Sequence, residues 1–349
     1  MLKIKMHGDT HVGLVRSINE DNFRLIEGRN TIVLCDGMGG HAAGEVASLK
    51  AVETVAAFLL LDPGANRVKL PVLALPELSA EAVDLVQSVR LANRRVFIAA
   101  KSQRSMHGMG TTLVTVRFSD GQVIVCHVGD SRAYRFAGGN LSPLTIDHSL
   151  LAEWKSRGEI SEEDERNFPE RNIITRALGT RASVAVDVCA MPAEKGDWYV
   201  LCSDGLCGYV DDRTIAEVIG QCHPDLELAV QRLIGVANEA GGQDNVTVAI
   251  GAIEDTDSAA PPWRTAVTVR TVPEAAEEAA SFETVFLQEL FPVAIPDDDT
   301  SDEPDTDRIP TLPFITPPPA GLPAVRDDAT IEPPDKPKRG FFPWSSKKD

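Results

Sequence analysis

Apolar and polar positions along this 349-residue chain fall into two periods, one of strand type and one of helical type. Short apolar runs at 31–35, 123–129 and 198–203 carry almost no charge and are predicted as buried strands. Further strand patterns lie near 12–16, 22–26, 111–117, 133–136, 141–145, 184–188 and 246–253. Ser119-Asp120-Gly121 and Gly138-Gly139-Asn140 supply tight turns between neighbouring runs. Helical spacing is predicted over 43–61, 79–103 (with Ser79 as N-cap), 212–219 and 224–240. Paired helices stand at the start and end of the strand series. That order predicts an α+β fold, a four-layer α/β/β/α sandwich of two mostly antiparallel sheets flanked by helices. A polar, helical insertion from Ser149 to Glu170 reads as a surface flap beside the sheets.

Composition changes after Ile253. Sixteen of the 23 prolines lie beyond it, and residues 254–349 hold 20 acidic and 9 basic residues, net −11 of the chain's −18. Domain 1–253 is therefore expected to carry the core, with 254–349 an acidic, Pro-rich, largely disordered tail. Within that tail, Phe282, Val285, Phe286 and Leu290 fall on one helical face over 274–290. The negative balance argues against non-specific nucleic-acid binding, because phosphate backbones would be repelled. The six cysteines form no Cys-x-x-Cys pair and three sit in apolar runs, as free buried thiols of a reduced, cytoplasmic protein do.

Chemistry enters where the strands end. The runs at 31–35, 123–129 and 198–203 lead into Asp36, Asp130 and Asp204, and Asp244 stands just before the run at 246–250. One aspartate before glycine is commonly a turn former. Several brought to one sheet rim repel each other unless hard divalent cations neutralise them, which points to a two-metal hydrolytic site.

Eight segments then appear in a fixed order. They are Arg16-Ser17-Ile18-Asn19-Glu20-Asp21, Asp36-Gly37-Met38-Gly39-Gly40-His41, Gly108-Met109-Gly110-Thr111-Thr112 and Val128-Gly129-Asp130-Ser131-Arg132, followed by Asp147-His148-Ser149, Ile174-Thr175-Arg176-Ala177-Leu178-Gly179, Ser203-Asp204-Gly205 and Asp244-Asn245. In that order residues 1–253 resemble the bacterial form of the metal-dependent serine/threonine protein phosphatases of the type 2C class, the PPM family.

The resemblance implies hydrolysis of phosphoserine and phosphothreonine in proteins, with two divalent ions, Mn²⁺ or Mg²⁺. It implies that Asp36 bridges them and with them holds the nucleophilic water, while the Gly37 carbonyl and Glu20 hold the second ion. Asp204 and Asp244 are implied ligands of the first, and Asp130 of a third, weaker ion. Arg16 is implied as the phosphate clamp, whereas sequence alone favours a surface ion pair with Glu20 or Asp21. Asp21 and Asn245 stand behind the ligands. Where animal members carry a proton-donating histidine this chain has Met38, leaving His41 as the stand-in acid. Phe168 replaces a histidine expected in the flap, residues 148–174.

Partners implied are phosphorylated proteins, among them a serine/threonine kinase and its substrates. Thr300, Ser301 and Thr306 offer the tail as a docking segment for a regulatory partner, and Phe341, Phe342 and Trp344 among lysines offer a contact for a partner or a membrane surface. Two other functions compete: a pseudophosphatase that binds phosphoproteins without turnover, and a small-molecule phosphoesterase. The presence of all of Glu20, Asp36, Asp204 and Asp244 weighs against the first.

Overall fold

The computed structural model describes residues 2–39, 43–61, 78–102, 104–119, 121–160, 170, 172–256, 270–274, 287, 290 and 291. Two antiparallel sheets face each other. The first runs in the order β1 (Lys3–His11), β11 (Val246–Asp255), β10 (Trp198–Cys202), β7 (Arg132–Ala137) and β8 (Asn140–Pro143). The second runs β12 (Arg270–Val272), β9 (Val186–Pro192), β6 (Gln122–Val128), β5 (Leu113–Ser119), β3 (Thr31–Met38) and β2 (Asp21–Ile26), and two-residue β4 (Gly110–Thr111) pairs with the end of β3.

Helices α1 (Ala43–Leu60) and α2 (Ala80–Ser102) cover the outer face of the second sheet. Helices α5 (Asp212–Cys222) and α6 (Leu226–Glu239) cover the first. Two short helices, α3 (Leu150–Ser156) and α4 (Asp204–Cys207), complete the set among the described residues.

This layering explains why the central strands read as unbroken apolar runs. On β3, Val33 and Cys35 face α1 and α2, whereas Ile32 and Leu34 face the opposite sheet. On β10, Trp198, Val200 and Cys202 face the helices while Tyr199 and Leu201 fill the middle. With both faces buried, neither parity can be polar. Ser79 accepts a hydrogen bond from the Ala82 N–H at 3.2 Å, as its capping role requires.

Two expectations need correction. No strand forms at 12–16; β1 ends at His11 and residues 13–15 turn. Gly13 adopts φ +81°, and both the Leu14 and Val15 N–H groups donate to the Gly242 carbonyl, leaving Leu14 66% and Val15 61% exposed. Polar Lys3, Lys5 and His7 hid the true strand before it.

The domain edge at 253 also falls short. Beyond it, β12 pairs with β9 (Thr271 opposite Asp187, Val272 opposite Val186) and buries Val272. Leu287 is buried in the α1–α2 core, and the Arg95 guanidinium lies 3.6 Å from the Phe291 ring centroid. The described residues 270–274, 287, 290 and 291 therefore belong with the folded domain. Apolar residues spaced widely among prolines gave no periodic signal for this return. Residues Phe282, Val285 and Phe286, and the tail from Thr300, lie outside the described residues.

Candidate active site

The strand register brings the carboxylates together. Asp21 opens β2 and lies directly opposite Asp36 near the end of β3. Asp204 begins α4 at the end of β10, and Asp244 and Asn245 precede β11, the strand hydrogen-bonded to β10. Asp130 follows β6. The Asp204 charge bears directly on Asp36, so the rims of the two sheets meet at these carboxylates.

The backbone around Asp36 is held on every side. Its N–H donates to the Thr112 hydroxyl at 3.0 Å, and its carbonyl accepts from the Thr112 N–H and the Thr111 hydroxyl, each at 2.8 Å. The Gly37 N–H donates to the Glu20 carbonyl at 3.1 Å. A Cβ on Gly37 would lie 2.1 Å from the Gly44 carbonyl oxygen, and one on Gly44 would lie 2.3 Å from Glu20 Oε1. Glycine is therefore required at both positions so that the start of α1 can approach β3. The Glu20 carboxylate lies against the Gly44 backbone, which places that side chain at a helix N-terminus.

Asp21 is buried; its Oδ2 accepts from Ser203 at 2.8 Å and Thr247 at 2.6 Å, while its Oδ1 has no partner. Glu20 Oε1 and Asp130 Oδ1 are likewise buried and unpartnered. Burial, reinforced by the other carboxylates, pushes Asp21 up to about 7 and Asp36 well above the ordinary carboxylate range. Burial and the Asp204 charge push Asp130 up to about 7. Glu20 and Asp204 are raised too, each by burial first.

Arg16 sits at the mouth, its Nη2 2.7 Å from Asp244 Oδ2. Its ion-pair partner is thus Asp244, not Glu20 or Asp21. The Asn245 side chain makes three hydrogen bonds: Oδ1 accepts from the Glu20 N–H at 2.8 Å, and Nδ2 donates to the Val12 and Ile18 carbonyls at 2.9 Å each. Its own N–H donates to Asp244 Oδ1 at 2.9 Å, so Asn245 touches that carboxylate and also grips the 12–20 loop that carries Arg16 and Glu20.

Orphaned, buried oxygens on carboxylates that resist ionisation alone are what a hard divalent cation would satisfy. All-oxygen donors suit manganese or magnesium. The residues present fit such ions.

The family description Protein phosphatase 2C matches residues 9–232. The chain belongs to the protein phosphatase 2C family. The phosphatase is 38% identical over 250 residues to the serine/threonine phosphatase stp of Listeria monocytogenes, an alignment covering 70% of this chain and 94% of that one. It is 36% identical over 245 residues to the serine/threonine protein phosphatase PstP of Mycobacterium tuberculosis, covering 70% of this chain and 44% of PstP. The crystal structure of the PstP catalytic domain with two manganese ions superposes with a TM-score of 0.62 at 33% identity, over 73% of this chain and 100% of that one. The S. agalactiae serine/threonine phosphatase gives a TM-score of 0.64 at 32% identity, over 72% and 100%.

The structure thus gathers Arg16, Glu20, Asp21, Asp36, Gly37, Asp130, Asp204, Asp244 and Asn245 at one rim. His41 lies outside the described residues, as does Phe168 in the flap. Sequence reasoning gave no role to the hydroxyls of Thr111, Thr112, Ser203 and Thr247. Their only signal was adjacency to the aspartate-bearing segments.

Proposed function

We propose that this phosphatase hydrolyses phosphoserine and phosphothreonine in proteins, using divalent metal held by Glu20, Asp36, the Gly37 carbonyl, Asp204 and Asp244, with Asp130 serving a third, weaker ion. The observation that carries the reading is the convergence of buried carboxylates, three with unpartnered oxygens, behind one guanidinium. When bound, the ions supply Lewis acidity that activates water and neutralises charge on the phosphoryl group.

The chain's own groups do the rest. Arg16 offers paired N–H donors to two phosphate oxygens, a geometry a lysine cannot reproduce. Asn245 fixes the loop that carries Arg16, so the guanidinium is presented with little left to reorganise. Thr111, Thr112, Ser203 and Thr247 hold Asp36 and Asp21 in place. Manganese, bound by the PstP catalytic domain, is the ion we assign first.

We further place the protein in the cytoplasm, opposing a serine/threonine kinase, with the tail as the docking segment for a regulatory partner. Six free cysteines, five of them buried, suit a reducing compartment. Among the described residues no helix is long and apolar enough to cross a membrane.

The test is a substrate panel: a phosphothreonine peptide, a phosphoserine peptide and a set of nucleotides, each with and without manganese. Metal-dependent release of phosphate from the peptides, well above the nucleotides, is expected. Preference for nucleotides would favour a small-molecule phosphoesterase, and tight peptide binding without turnover a pseudophosphatase.

A further inference from the structure

Away from the carboxylate rim, His127, His148 and Asp187 form a buried trio whose ligand atoms lie within 4.8 Å of one another, close enough to suggest a second metal site. The hydrogen bonds decide otherwise. The Gly129 N–H donates to His148 Nδ1 at 3.0 Å. A backbone amide can only donate, so Nδ1 carries the lone pair and Nε2 the proton, which goes to Asp187 Oδ2 at 3.2 Å. A metal at Nε2 would need that proton removed. Asp187 also accepts from Arg176 at 2.8 Å through Oδ1 and lies opposite Thr271 of β12, and its polar neighbours hold its carboxyl well below the ordinary range although burial opposes them. His127 stacks on His148 with centroids 4.4 Å apart and donates through Nε2 to the Ile146 carbonyl at 2.8 Å. The trio is a hydrogen-bonded clasp.

What it clasps is the turn that bears Asp130. His148 holds Gly129 twice, since its own N–H donates to the Gly129 carbonyl at 2.8 Å. The preceding residue, Asp147, takes the other end: Arg132 Nε and Nη2 donate to its two carboxylate oxygens at 2.8 and 2.7 Å. Adjacent residues therefore grip positions 129 and 132, with Asp130 between them. Gly129 has φ +115°, and a Cβ there would lie 2.6 Å from Thr112, so the turn is tight on its other side as well.

We propose that His148 is a positioning residue that, with Asp147, aims Asp130 at the metal centre through its Nδ1 contact with Gly129. The inference rests on the reading of Asp130 as the ligand of a third ion. Asp187 sets the tautomer by accepting the Nε2 proton. Through Thr271, the strand beyond residue 253 contributes to the same network.

The experiment titrates manganese calorimetrically into the metal-stripped full chain, comparing native protein with Asp130→Asn, His148→Asn and His148→Gln. The Asn amide oxygen superposes on Nδ1 and keeps an acceptor for Gly129. The Gln amide nitrogen superposes on Nε2 and keeps only the Asp187 contact. Asp130→Asn should remove the weakest binding event. His148→Gln should weaken that event about tenfold or more, the scale of losing a group that orients a ligand. His148→Asn should stay within about threefold of native.

Equal loss in both His148 variants would reduce the residue to packing and overturn the proposal, as would a native isotherm in His148→Gln. If Asp130→Asn itself binds as native does, the reading of Asp130 fails and the clasp has no ion to serve. Should His148→Gln not fold, the ¹⁵N spectrum of native histidines decides: an unprotonated Nδ1 on His148 is required, and a protonated one overturns the proposal.

Discussion

Arg16 and Asp244, 228 positions apart in the chain, form an ion pair of 2.7 Å at the mouth of the carboxylate cluster. The pair joins the guanidinium we propose as phosphate clamp with a carboxylate we propose as metal ligand. The charges around Asp244 raise the Arg16 pKa further, despite partial burial, so the clamp stays cationic throughout the working range.

Arg16→Ala should therefore lower kcat/KM for a phosphothreonine peptide by roughly ten- to a hundredfold, the loss of a charge-assisted contact worth about 1.5–3 kcal/mol. Arg16→Lys should recover little of it. Steady-state kinetics at saturating manganese check both, with the effect expected mainly in KM.

Asn245→Ala should act on the same loop from behind. It removes three hydrogen bonds that tie Val12, Ile18 and Glu20 together and leaves two carbonyls and one amide without their partner. We expect a loss of about 2–4 kcal/mol in unfolding free energy together with a raised KM, measured by urea denaturation and by peptide kinetics.

The raised carboxylates give the metal-free protein an unusual pH profile. Asp21 and Asp130 titrate near 7 when folded and near 3.8 when unfolded, so the native state binds more protons between those limits. Their contribution to stability is full below pH 4 and is lost as pH rises through 7, by on the order of 4 kcal/mol for each carboxyl. Asp187, shifted the other way, contributes stability that is lost only as pH falls below about 4, outside this window. Melting temperatures in chelator should fall from pH 5 to pH 8, and saturating manganese should remove that slope.

Truncation separates the parts of the region beyond 253. Ending the chain after Thr256 removes β12, buried Val272 and buried Leu287, at about 1.5–3 kcal/mol for each buried side chain. The melting temperature should drop by several degrees. Ending it after Asp299 keeps every described residue and should leave both melting temperature and peptide hydrolysis at native values.

Much of this was legible in the sequence because the central strands are buried on both faces and cannot hide their apolar character. Asp36, Asp204 and Asp244 were legible because each follows or precedes such a run. The illegible parts have particular causes. Leu14 and Val15 look like strand residues, and only the long-range grip of Asn245 and Gly242 on their loop turns them outward. Val272 and Leu287 are isolated apolar positions, and three residues of β12 are too few for a period. The partner of Arg16 could not be read either, since Asp21 and Glu20 are its neighbours in sequence but Asp244 is its neighbour in space.

The central claim, that clustered carboxylates hold the metal on which catalysis depends, is tested most directly by one titration. The full chain is stripped with chelator, dialysed, and assayed on a phosphothreonine peptide as manganese is restored, beside Asp36→Asn treated identically. The account predicts no turnover in the stripped native protein, full recovery with manganese, and none in Asp36→Asn at any concentration. Native turnover persisting in excess chelator, or wild-type rates from Asp36→Asn at saturating manganese, would contradict it.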